Sequence, residues 1–92
     1  MAEIEVWIIS RSADQLETAA AAFARVADEP DRFGLVRVEG LKSDDGAVVG
    51  RVFMRDESSC NLPRAAVWQA LSELANRTFP IGEQQIVCFP LH

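Results

Sequence analysis

Hydrophobic and polar residues alternate near the start of the chain, which predicts a β-strand from Glu3 to Ile9. Successive side chains of a strand point to opposite faces of its sheet. One face would carry Ile4, Val6 and Ile8, and the other would carry Glu3, Glu5, Trp7 and Ile9. The strand therefore has one apolar face suited to a protein core and one face of mixed character.

Two later segments have the spacing of amphipathic helices. Ser12 with Gln15 resembles a capping box, and apolar residues then recur at helical spacing at Leu16, Ala19, Ala20, Phe23 and Ala27. Proline cannot continue a helix, so this one should end within Asp28-Glu29-Pro30-Asp31. The second helix is predicted from an N-cap at Asn61, with Pro63 in its first turn and a buried stripe of Val67, Ala70, Leu71 and Leu74.

Three further strands are predicted. The second runs from Phe33 to Glu39, with Val36 and Val38 on one face and Leu35, Arg37 and Glu39 on the other. An Asp-Gly hairpin signal in residues 42–46 leads to a third strand from Ala47 to Arg55. Its core face would carry Val48, Val52 and Met54, and Gly50 inside it predicts a bulge or a close backbone approach. After a loop from Thr78 to Gly82, the last strand runs from Gln85 to Phe89, where Pro90 would stop it.

The element order β-α-β-β-α-β predicts one α+β domain over residues 1–92, of the ferredoxin-like (split βαβ) type. In this fold both helices cover one face of a four-stranded antiparallel sheet, so the other face meets water or a partner. We expect that open face to carry Trp7, Ile9, Val49 and Phe53, with Val87 and Phe89 if the last strand keeps the same register. Such an aromatic patch favours a homodimer or a docked protein, whereas a one-residue register slip would exchange the faces.

The chain is acidic, with a net charge of −5 and a pI of about 4.7. This charge argues against direct binding to a nucleic-acid backbone. Aromatic residues on the first and third strands do occur in the RNA-recognition motif, but residues 50–55 lack its repeated glycine and paired aromatics. The topology instead gathers carboxylates at one pole of the sheet, which suits a partner with a basic surface or else simple solvation: Glu3, Asp28, Glu29, Asp31, Asp56 and Glu57.

Catalytic, metal and cofactor motifs are not visible in the sequence. Cys60 precedes a predicted helix start, but a nucleophilic cysteine needs a nearby base, and His92 at the chain's end is the one histidine. Cys88 with His92 supplies too few ligands for zinc. We therefore expect no cofactor and no enzyme activity.

The leading functional hypothesis is a small acidic protein-interaction module. It would be an inhibitor, immunity or anti-defence protein that occludes a functional surface of a macromolecule, such as a nucleic-acid-binding surface. The alternative is a regulatory homodimer that senses a small ligand at the interface between two sheets. Met1 to Glu5 shows no secretion signal and the apolar runs are too short for a membrane span, so a cytoplasmic location is expected.

Overall fold

The computed structural model describes residues 2–56, 61–78 and 85–91, with the backbone alone between 75 and 78. Four strands and two α-helices follow in the predicted order, and a short 3₁₀-helix that was not predicted follows the first α-helix. They are β1 (Ala2–Ile9), α1 (Ala13–Asp28), the 3₁₀-helix (Pro30–Phe33), β2 (Arg37–Asp44), β3 (Ala47–Met54), α2 (Asn61–Thr78) and β4 (Gln85–Leu91).

The four strands form one antiparallel sheet in the order β2-β3-β1-β4, which confirms that β1 and β3 are central. Ile4 lies opposite Val52, and Ile8 lies opposite Val48. These side chains are buried with Phe23 of α1 and Leu71 of α2 in one hydrophobic core. Both helices therefore pack on the face that the alternation of β1 marked as apolar.

The first helix begins at the predicted cap. The Ser12 hydroxyl oxygen accepts a hydrogen bond from the backbone N–H of Gln15 at 3.4 Å. The Gln15 side chain does not return to the Ser12 amide, as it would in a complete capping box. Its Oε1 accepts a hydrogen bond from the Ser10 hydroxyl, which itself accepts one from the Ser12 amide at 3.2 Å. The cap therefore joins the helix start to the end of β1.

Gly50 marks a close approach between the sheet and α1. A Cβ atom at this position would lie 2.9 Å from Phe23 Cε1 and 2.9 Å from Leu41 Cδ2. Strand β2 is bulged between Glu39 and Lys42, where Gly40 has a φ of +67°. The predicted close backbone approach is confirmed, and the bulge lies in the neighbouring strand.

Three strand boundaries were predicted wrongly. Strand β2 continues past its predicted end at Glu39 and through the bulge to Asp44. Phe33 ends the 3₁₀-helix, Gly34 follows with a φ of +77°, and β2 begins only at Arg37. Because the chain turns at Gly34, strand alternation does not extend back to Leu35, which is buried in the core and does not face away from it. Strand β4 continues through Pro90 to Leu91, since an edge strand tolerates a residue without an N–H.

Smaller differences occur at three other boundaries. Strand β1 begins at Ala2, one residue before the predicted start. Strand β3 ends at Met54, one residue before the predicted end. Of the predicted loop from Thr78 to Gly82, the structure describes Thr78, which ends α2, and the rest lies outside the described residues.

Candidate interaction surfaces

The sheet face opposite the helices is the first candidate surface, called here the open face. The register places Trp7 between Val49 and Val87, and Glu5 between Arg51 and Phe89. Each strand contributes four side chains to this face: Arg37, Glu39, Lys42 and Asp44 from β2; Ala47, Val49, Arg51 and Phe53 from β3; Glu3, Glu5, Trp7 and Ile9 from β1; and Gln85, Val87, Phe89 and Leu91 from β4. The structure therefore brings together the predicted residues Trp7, Ile9, Val49 and Phe53.

The exposed apolar area of the open face lies on β1 and β4. Phe89 is 50% exposed and Ile9 is 40% exposed. Trp7 and Val87, both half-buried, lie between them, and the half-buried Leu91 lies beyond Phe89. These five residues are called here the apolar half. They form a continuous patch because Trp7 and Val87 are cross-strand neighbours.

The other half of the open face is covered by charged side chains. Val49 is only 2% exposed and Phe53 only 8%. The Arg37 guanidinium lies over the Phe53 ring, with 4.2 Å between its central carbon and the ring centroid. Arg51 Nε lies 2.9 Å from Glu3 Oε1 across the neighbouring strands. The predicted exposure of Val49 and Phe53 is wrong, and Phe53 is buried because the Arg37 side chain lies over its ring.

Trp7 has a defined orientation on the open face. Its indole Nε1 donates a hydrogen bond to Glu5 Oε1 at 2.6 Å, two residues away on the same side of β1. The polar edge of the ring is thereby satisfied within the chain. The ring can contribute apolar contact area to a partner without leaving a buried donor unpaired.

At the second predicted surface, the acidic pole, a basic side chain lies among the carboxylates. Asp28, Glu29, Asp31 and Asp56 are exposed, whereas Glu57 lies outside the described residues. Arg32 Nη1 lies 3.5 Å from Glu29 Oε2. The guanidinium groups near this pole therefore offset part of its negative field.

Two arginines near the acidic pole connect the helical layer. Glu73 of α2 forms two ion pairs. Its Oε2 lies 2.9 Å from Arg25 Nη2 of α1, and its Oε1 lies 3.0 Å from Arg32 Nη2 of the 3₁₀-helix. Arg55 and Asp31 line a shallow cavity of about 270 Å³. Glu3, the sixth predicted carboxylate, pairs with Arg51 and belongs to the open face. Among the described residues, four of the predicted carboxylates are exposed at this pole.

Helix α2 carries an apolar feature that the sequence reasoning missed. Trp68 is 44% exposed. It lines a cleft of about 420 Å³ between α2 and the start of β4, together with Asn61, Arg64, Ala65, Gln85 and Ile86. The available signal was the position of Trp68, one residue after the buried stripe residue Val67, where a side chain lies at the border of the core.

The described part of the chain contains no group of three or more His, Cys, Asp or Glu side chains that could hold a metal ion. Cys88 lies half-buried on β4, while Cys60 and His92 lie outside the described residues. Within the same ranges, neither helix is long and apolar enough to cross a bilayer.

Comparisons with known proteins bear on the fold. The sequence matches no protein family and no curated protein. Among solved structures, it is similar to a de novo designed protein with a ferredoxin fold, determined by solution NMR. The TM-score is 0.57 at 17% identity, over 99% of this chain and 84% of the designed one. The chain has a ferredoxin-like fold. At this identity the likeness concerns architecture alone, because one fold supports many unrelated functions.

Proposed function

We propose that this chain is a small acidic protein-interaction module that binds a macromolecular partner through the open face. The observation that supports this most directly is the exposure of Phe89 and Ile9 on a regular sheet face. No helix or strand described by the structure covers that face. Exposed aromatic and aliphatic side chains on a rigid element are typical of binding surfaces.

The apolar half has the composition of an interface anchor. Complete burial of an exposed Phe or Ile side chain contributes about 1.5–3 kcal/mol, and these two are roughly half exposed before binding. Trp7, already oriented by Glu5, adds area at low cost in conformational entropy. The charged half would form a polar rim, since Arg37 and Arg51 already lie in ion pairs.

The partner we favour has a basic surface, for example one that itself binds nucleic acid. The net charge of −5 and the exposed carboxylates Asp28, Glu29, Asp31 and Asp56 would attract it at long range. Covering such a surface would inhibit its owner, which is the action of an inhibitor, immunity or anti-defence protein in the cytoplasm. No enzyme activity is part of this proposal.

The alternative, a regulatory homodimer with a small ligand between two sheets, uses the same open face. A ligand site there needs a concave surface with polar groups near its centre. Val49 and Phe53 of the central strand β3 are buried, and the Arg37 guanidinium lies over the Phe53 ring. The structure therefore favours contact with a broad protein surface.

Matched variants test the contact surface. We would immobilise the wild-type chain, Phe89→Ser and Trp68→Ser, capture partners from the native host, and measure the purified partner's affinity by calorimetry. Phe89 and Trp68 are similarly exposed but lie on opposite layers. We expect Phe89→Ser to weaken binding by about tenfold or more, with little effect of Trp68→Ser. Binding lost in Trp68→Ser and kept in Phe89→Ser would refute the open face as the contact surface.

A further inference from the structure

The open face is nearly neutral, although the chain is strongly acidic. It carries four carboxylates (Glu3, Glu5, Glu39 and Asp44) and three cations (Arg37, Lys42 and Arg51), a net charge of −1. The whole chain has a charge of −5. Two copies could therefore approach through this face with much less repulsion than through the rest of the surface.

The charged residues of β2 are arranged with opposite signs at opposite ends. Arg37 is opposite Phe53 at one end, and Asp44 is opposite Ala47 at the other. Between them lie Glu39 and, beyond the bulge, Lys42. Along the open face, the order of signs on this strand is plus, minus, plus, minus. Turning the strand end for end reverses that order, so each charge meets its opposite.

A two-fold axis that lies between two stacked sheets and runs across the strands performs this reversal. It places β2 over β2 of a second copy, with Arg37 near Asp44 of the second copy and Glu39 near Lys42 of the second copy. On β4 the same axis places Phe89 over Val87 of the second copy, and on β1 it places Glu5 over Trp7 and Glu3 over Ile9 of the second copy. Each contact occurs twice, as an isologous interface requires.

The other face-to-face two-fold, parallel to the strands, is less favourable for β4. It would place β4 over β2 of the second copy, because that rotation exchanges the two edges of the sheet. Leu91, Phe89 and Val87 would then face Arg37, Glu39 and Lys42 of the second copy, although on the central strands Glu5 would meet Arg51 and Trp7 would meet Val49. The side chains of the two edge strands, β2 and β4, therefore favour the axis across the strands.

We propose that a second copy of this chain covers the open face, with the two-fold axis across the strands, in the free protein. The inference rests on the proposed function, because it names an occupant of the same contact surface. A target that binds the open face then has to displace the second copy. Self-association would thus lower the apparent affinity for that target as the chain's concentration rises.

The area available indicates a dimer of modest affinity. Strand spacing of about 4.8 Å and a rise of about 3.3 Å per residue give the face a projected area of roughly 500 Å². Two copies would bury about 1,000 Å² together, which is the lower limit for a specific interface. We therefore expect a micromolar dissociation constant and a monomer–dimer equilibrium that is visible by sedimentation.

The test uses Lys42→Glu and Glu39→Lys, measured by sedimentation equilibrium separately and mixed. Each variant alone would place like charges together twice, and we expect its dimer dissociation constant to rise about tenfold or more. An equimolar mixture would form a heterodimer in which both contacts are attractive, so association should recover. Both positions are exposed, and circular dichroism would verify that each variant folds.

Two results would overturn this inference. One is a wild-type chain that stays monomeric up to millimolar concentration. The other is a mixture that associates no better than the separate variants. A monomeric chain that still binds its target through Phe89 would remove the dimer and leave the proposed function intact. A dimer abolished by Phe89→Ser, with target binding unchanged, would confirm the dimer and refute the open face as the target's contact surface.

Discussion

Gly50 lies in β3 beneath the aromatic ring of Phe23, and the substitution Gly50→Ala would place a methyl group against that ring. The added Cβ would lie 2.9 Å from Phe23 Cε1 and 3.2 Å from Phe23 Cδ1. Its distance from Leu41 Cδ2 would also be 2.9 Å. Leu41 is largely exposed and can move aside, whereas Phe23 is completely buried between α1 and the sheet. The ring therefore determines the energetic result.

Overpacking a core by one methyl group lowers the free energy of unfolding by about 1–3 kcal/mol. The lower backbone entropy of alanine in the unfolded chain raises it by about 0.5–1 kcal/mol. We expect Gly50→Ala to lower the free energy of unfolding by about 1 kcal/mol or more. For a domain of this size, that loss lowers Tm by about 4–8 °C per kcal/mol. Urea unfolding followed by tryptophan fluorescence would measure it.

A double-mutant cycle identifies the cause. Phe23→Leu removes the ring edge that the new methyl group would meet, so Gly50→Ala should cost at least about 0.5 kcal/mol less in the Phe23→Leu background. Additive effects would show that the ring is not the origin of the strain. A Gly50→Ala chain as stable as the wild type would contradict the close packing of α1 on β3.

Three other substitutions test separate contacts. Ser12→Ala should destabilise the chain by about 0.5–1 kcal/mol in urea unfolding, because the first turn of α1 loses its cap, and Ser12→Asp should retain most of the stability. Arg37→Ala should lower the free energy of unfolding by about 0.5–1 kcal/mol through the lost contact with the Phe53 ring. If that contact is the cause, Arg37→Ala should cost less in a Phe53→Leu background than in the wild type. Glu73→Gln should cost about 1 kcal/mol or less, and 1 M NaCl should reduce the difference, since its ion pair with Arg25 is partly exposed. A salt-independent loss would assign the Glu73 effect to packing.

Local patterns were sufficient for most of the fold. The alternation in β1 identified the apolar face, Ser12 marked the start of α1, and Pro30 indicated that the helix ends shortly before it. These signals act between residues close together in the chain, so they can be recognised without knowledge of the tertiary structure. Their agreement in the order β-α-β-β-α-β also predicted which strands are central.

The start of β2 could not be found in the same way. Phe33 and Leu35 are apolar residues separated by one position, which is the pattern of a strand as well as of a turn that enters a core. The left-handed backbone at Gly34 decides between them. Glycine permits that conformation but does not require it, so the sequence leaves both paths open.

The chemistry of each residue on the open face is visible in the sequence, but its exposure is not. Trp7, Ile9, Val49 and Phe53 share that face because strand side chains alternate. Phe53 is buried because Arg37, which lies directly opposite on β2, extends over its ring. Cross-strand pairing of residues distant in the chain decides this. The sequence determined which side chains occupy the open face, and the tertiary structure alone decided which of them are exposed.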